Sequence, residues 1–194
     1  MIELYYRILK HDPEGRLVKD TGLIPSHSYV IQFLELIEGF FTQPVERAAT
    51  DYLGVERAIY RGDRDIVLQG KVSAAVAYSI NGIVVGTNAG ETAEGNEDYS
   101  LDTQIEHSAT GEAGKMNYQA VILTAPGVVG PNVDFDVARP FINETDATIT
   151  VKEIGIQCLH GGVYRHLLLR DVVTAEDVLA GYTLTVVYTL RTTV

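Results

Sequence analysis

Tryptophan is absent from this 194-residue chain and cysteine occurs once, as Cys158. A lone thiol excludes an intrachain disulfide, so the fold must stand on its core. It also excludes a cysteine-based zinc site. Positive charge is scarce: 15 Lys and Arg stand against 26 Asp and Glu, a formal net charge of -11. No basic run occurs anywhere. That argues against a nucleic-acid partner, because phosphate backbones are held by clustered Lys and Arg. No window approaches about 18 unbroken apolar residues, so no helix is expected to span a membrane. The first residues, Met1-Ile2-Glu3-Leu4-Tyr5, lack a basic segment and a long apolar run, and do not read as a signal peptide. The expectation is folding in a cytoplasm. An acidic surface favours solubility and suits a basic patch on a partner.

What is present is an ordinary globular balance of 46% hydrophobic and 21% charged residues. This length can bury a sizeable core in one domain, with no evident linker and no internal repeat. The expected organisation is one β-rich domain over 1–194. Residues 1–45 would form a hairpin plus helix, and 55–194 a sandwich.

Ile2, Leu4, Tyr6 and Ile8 alternate, which marks a strand. His11 to Gly15 reads as a turn, with Arg16 to Lys19 returning as a second strand. Tyr29, Val30, Phe33, Leu34, Ile37, Phe40 and Phe41 recur at helical spacing, with Gln32, Glu35 and Glu38 opposite. Ser28 is a candidate N-cap, and Pro44 stops the helix. The apolar stripe either packs on a sheet or anchors a subunit interface through Phe33, Ile37, Phe40 and Phe41.

Beyond residue 55 the helical period is lost. Short apolar runs follow at Val55–Tyr60, Asp65–Ala77, Gly82–Val85, Tyr118–Thr124, 147–157, Val163–Leu169 and 182–191. Several short strands separated by turn signals indicate an antiparallel β-sandwich, jelly-roll-like, with one N-terminal amphipathic helix. The alternation Ile149, Val151 shifts phase at Glu153, which suggests a bulge. A bulge would turn Glu153 inward, where Arg170 on a neighbouring strand could meet it. Such a pair would set register more than add stability.

No Gly-x-Ser-x-Gly elbow exists. Cys158 with His160 or His166 could form a thiol pair, but a lone cysteine in a β-segment is usually a buried hydrophobe. Gly111-Glu112-Ala113-Gly114-Lys115-Met116 lacks the spacing of a phosphate loop. Glu91, Glu94, Asn96, Glu97 and Asp98 are oxygen ligands that calcium would accept, without EF-hand spacing; the plainer reading is a solvated loop. Asp134 and Asp136 share a strand face. Arg61-Gly62-Asp63 fits a hairpin turn. Asn143-Glu144-Thr145 has the form of a glycosylation sequon. The expectation is no enzyme, no cofactor and no metal.

Three blocks carry a resemblance. The first is Gly82-Ile83-Val84-Val85-Gly86-Thr87, then an acidic loop and Asp98-Tyr99-Ser100-Leu101. The second is Arg139-Pro140-Phe141-Ile142-Asn143-Glu144, then Ala147 to Ile156. The third is Leu168-Leu169-Arg170-Asp171-Val172-Val173, then Ala180 to Leu190. Together with the helix from Ser28 to Leu34, they resemble structural proteins of tailed bacteriophages. The resemblance implies a virion component on the capsid surface, at the head–tail joint or in the tail. Its expected partners are other virion proteins and further copies of itself, with no nucleic acid and no membrane. The alternative is a receptor- or carbohydrate-binding β-sandwich module of a tail fibre. No catalytic residues follow from the resemblance.

Overall fold

A computed structural model describes residues 2–41, 47–59, 70–160 and 163–193. The alternating N-terminal segment is β1 (Ile2–His11), followed by β2 (Leu17–Asp20), β3 (Ile24–Ser26) and the helix α1 (Ile31–Phe41). Next come β4 (Arg47–Thr50), β5 (Glu56–Ile59), β6 (Gly82–Gly86), β7 (Asn117–Tyr118), β8 (Ile122–Leu123) and β9 (Gly127–Val129). Four long strands close the chain: β10 (Asn132–Ile142), β11 (Ile149–His160), β12 (Tyr164–Val178) and β13 (Thr183–Thr193). The protein is mainly β, with antiparallel sheets and one short helix.

The larger sheet runs β2-β1-β13-β10-β7, with β3 also on β1 and with β8 and β9 also on β10. The second runs β12-β11-β6, and β4 pairs with β5 alone. The N-terminal hairpin is not set apart from the later strands. β1 lies against β13 from Ile2↔Thr192 to His11↔Thr183. Its turn is held by the Asp12 carboxylate, which accepts the N–H groups of Glu14 and Arg16, as Asx turns do.

Both sheets contribute to one apolar cluster. Ile8, Phe141 and Leu184 come from the larger sheet, and Val84, Ile154 and Leu167 from the smaller. Burying each such side chain contributes about 1.5–3 kcal/mol. The phase shift at Glu153 is a register shift between Val151 and Glu153 in the β11–β12 ladder.

Three expectations need correction. Ser28 does not cap α1, because its hydroxyl donates to Asp171; the Ile31 N–H is taken instead by the Asn96 carbonyl at 2.8 Å. The helix is also rotated from its apolar stripe. Leu34 is 62% exposed while Gln32 is buried, because α1 packs on β12 and β4, which meet the Gln32–Leu36 side. Of the run expected over Asp65–Ala77, residues 65–69 lie outside the described residues. Residues 70–77 form no strand beyond the Lys71↔Leu159 bridge. Carbonyls from this region turn inward onto the buried Arg139 guanidinium. Ala75 and Tyr78 accept from Nη2, Asn81 and Ile83 from Nη1, and Gln119 from Nε. Burial pushes Arg139 down to about 10. Its cation faces the Tyr118 ring at 4.7 Å, a favourable placement over the negative π-face.

Polar contacts also tie the sheets together. Asp171 on β12 accepts from the Ser26 and Ser28 hydroxyls and, at 2.8 Å, from Tyr188 of β13. The buried Glu176 meets Lys10 and Lys19. Asn143 is buried, and its amide donates to the carbonyls of Ala147 and Val178, so the sequon asparagine is a turn-forming residue here.

Burial raises the Asp171 carboxyl above its ordinary value, against the lowering by its three hydroxyl donors. The folded chain then holds this proton where the unfolded chain has released it. Stability from this group therefore falls as pH climbs from the ordinary carboxylate range through the raised folded value. Urea titrations of wild type and Asp171→Asn from about pH 4 to 7 should show wild type losing stability relative to the variant as pH rises. Parallel pH profiles would contradict the raised carboxyl.

Candidate functional site

Glu153 and Arg170 are brought together at the centre of the smaller sheet. Arg170 stands opposite Gly155 in the β11–β12 register, and its Nε donates to Glu153 Oε2 at 2.9 Å. Both are buried. The carboxylate also accepts backbone N–H groups from Asn88 at 3.3 Å, Asp102 at 3.0 Å and Thr103 at 2.8 Å. Gly86 faces Glu153 across β6–β11. A Cβ there would lie 2.3 Å from Glu153 Oε1 and 2.6 Å from the Thr103 carbonyl. Only glycine lets this carboxylate reach the loop.

The remaining Arg170 N–H groups hold the acidic loop. Nη1 donates to the Ala93 carbonyl and to Asp98 at 2.8 Å. Nη2 donates to Asn88 Oδ1 and to both oxygens of Thr92. The loop read as a solvated excursion is thus wrapped around a buried cation. Glu94 accepts the Val172 N–H, and Glu91 lies 3.9 Å from Lys152. No group of three or more metal-ligating side chains occurs among the described residues. The hub has no donor left for a substrate. It presents residues 88–103 as a fixed surface.

The other candidates separate. Phe33 and Ile37 are half-buried, with the Phe33 ring centroid 4.3 Å from that of Tyr29. The side chains of Phe40 and Phe41 lie outside the described residues, as does Arg61-Gly62-Asp63. Cys158 is buried opposite His166, and burial pushes its thiol up to about 12. Such a thiol is not a nucleophile near neutral pH. Burial, and then the neighbouring ring of His166, lowers His160; burial lowers His166 despite its contact with the Thr50 carbonyl. Asp134 is held bidentately by Arg191 on β13, and Asp136 accepts from Thr189. They are cross-strand pairs rather than an acid–base couple.

Residue-level reading missed one surface. Val128 and Val129 of β9 are 78% and 66% exposed, and Ile122 and Leu123 of β8 and Ile2 of β1 are exposed as well. An apolar groove beside them is lined by Ile2, Pro126, Val133, Phe135 and Leu190. The charges at its floor, Asp134 and Arg191, neutralise each other. The signal in the sequence was the pair Val128-Val129 between Pro126-Gly127 and Gly130-Pro131.

No family model matches the chain, and neither do curated proteins or solved structures. No helix among the described residues is long and apolar enough to cross a membrane.

Glu153→Gln should cost about 3–5 kcal/mol, because it removes the fully buried counter-charge of Arg170 and leaves only the partly exposed Asp98, and because a neutral amide replaces the acceptor of three backbone N–H groups. Urea unfolding measures the loss, and amide exchange at Asp102 and Thr103 should accelerate. An unchanged melting temperature would contradict the role given to the pair.

Proposed function

We propose that this chain is a non-enzymatic structural subunit of a tailed-phage virion, working through repeated contacts between copies. Its place is the capsid surface, the head–tail joint or the tail. We read the two sheets around one core as a β-sandwich, jelly-roll-like in outline. The resemblance supports the reading, because its three blocks contain the buried polar centres Arg139, Asn143, Glu153, Arg170, Asp171 and Tyr188. What the blocks share is therefore a scaffold. The virion placement rests on that resemblance alone.

The observation that carries assembly is the exposed apolar edge at β8 and β9. Exposed sheet edges are templates for pairing with another chain, and contiguous apolar patches mark interaction sites. A second copy is the occupant that fits. On a chain of net charge -11, most faces repel a like copy, whereas the Asp134–Arg191 pair leaves this groove locally balanced. Two β9 edges meeting across a two-fold axis would continue the larger sheet from one copy into the next.

Light scattering with negative-stain imaging tests this. Wild type should run above monomer mass, as the dimer that a two-fold contact closes. Val128→Lys with Val129→Glu should return it to monomer while shifting stability by no more than about 0.5 kcal/mol, as exposed positions do. A wild-type monomer at high concentration would sink self-assembly through this edge.

A further inference from the structure

A second, polar cavity of about 550 Å³ lies on the smaller sheet's side of the molecule, away from β8 and β9. Its wall includes Tyr52, Ser100, Gln104, His107, Gln157 and Arg165. This volume falls within the range of small-molecule sites. Four features mark it as more than a surface dent.

First, the Arg165 guanidinium lies 3.4 Å over the Tyr52 ring, and among the described residues no carboxylate pairs with it. It is a planar cation stacked on an aromatic face, with no side-chain hydrogen bond or ion pair to its guanidinium among the described residues. Second, Gln157 is 1% exposed, yet its Oε1 has no hydrogen-bond partner. Its Nε2 donates to Gln104 Oε1 at 3.5 Å, and Gln104 is itself anchored to the Ser79 carbonyl at 2.7 Å. A register shift between Ile156 and Gln157 re-aims this side chain, as bulges do beside functional sites. Third, His107 Nδ1 accepts the Tyr118 N–H at 3.1 Å. In the neutral ring the proton therefore sits on Nε2, leaving that atom as a donor. Fourth, Ala77, which also lines the cavity, holds φ at 72° without being glycine, and such strain collects at functional sites.

We propose that this cavity binds a small carboxylate-bearing sugar. Arg165 takes the carboxylate in its planar fork, and the amides of Gln104 and Gln157, the Ser100 hydroxyl and His107 Nε2–H take ring hydroxyls. A single guanidinium, with Glu106 also on the wall and bound to Lys115, matches a monoanion better than a doubly charged phosphate. The neutral donors and acceptors match vicinal hydroxyls, which need both. The lining is too polar for a purely apolar ligand. This inference is independent of self-assembly and would hold for a monomer.

Calorimetry and ligand-observed NMR on the full chain, with glucuronate, N-acetylneuraminate, glucose and inorganic phosphate, test it. At least one acidic sugar should bind in the millimolar range, with glucose weaker by about tenfold or more for want of the charge-assisted contact. Arg165→Leu should abolish binding, and Arg165→Lys should weaken it about tenfold because the bidentate fork is lost. Gln157→Leu should weaken binding without lowering the melting temperature, since it removes an unpartnered buried oxygen. If Arg165→Leu fails to fold, Arg165→Lys and Ser100→Ala supply the readout. Silence of both acidic sugars, equal binding of glucose, or phosphate binding alone would overturn the proposal. So would acidic-sugar binding that the folded Arg165 variants leave unchanged.

Discussion

The guanidinium of Arg170 is the constraint around which this structure is organised. A buried cation is tolerable only when its N–H groups are met, by counter-charges or by oriented dipoles. Glu153 supplies one charge from within the same sheet, and Asp98 another from the loop. The loop therefore cannot lift away without stranding the cation. The consequences spread through the backbone. The Arg170 N–H is bound by the Ser28 carbonyl, and the Asn96 carbonyl in the pinned loop receives the first N–H of α1. The next residue, Asp171, gathers Ser26, Ser28 and Tyr188. Two successive residues on β12 thus set the acidic loop, the helix entry and one link between the sheets.

Arg139 solves the same problem by different means. Among the described residues no carboxylate pairs with it; five backbone carbonyls and the face of Tyr118 surround it instead. Carbonyl dipoles solvate the cation without cancelling it, and burial accordingly depresses its proton affinity. The chain from Ala75 to Asn81 is bent to aim its carbonyls inward and joins a strand only at β6, whose Ile83 carbonyl completes the set. With Arg139, Glu153, Arg170 and Asp171 committed to architecture, the fold leaves recognition to two features: the apolar edge at β8 and β9, and the cavity lined by Arg165 and the unpartnered Gln157.

Some of this was legible before any coordinates. The alternation in β1 and β13 is explicit because one face of each meets the core, and a period of two survives wherever burial is one-sided. The Glu153 bulge was visible as a broken alternation, and Glu153 with Arg170 as the pair it would bring inward. The helix stripe misled because Leu34, which belongs to it, faces outward while Gln32, placed on the opposite side, is buried. Apolarity marks a helix face only when the neighbours are equally apolar. The end of β12 was missed because Arg170, Asp171 and Glu176 look like a strand terminus. They are inward residues of a strand that continues to Val178, each with a partner far away in the chain.

By itself, the sequence determined the β-rich class, the antiparallel hairpin at the N-terminus, the helix that follows it and the lack of an intrachain disulfide. Those properties follow from local periodicity, turn chemistry and composition, which act over a few residues. Only the tertiary structure decided which charged residues go inside, that the acidic loop wraps Arg170 rather than water, and where an apolar edge and a polar cavity remain open. A buried charge is permitted by partners far away in the chain: Thr103 is 50 residues from Glu153, and Asn88 is 82 from Arg170. No local pattern announces a partner that folding alone brings within 3 Å.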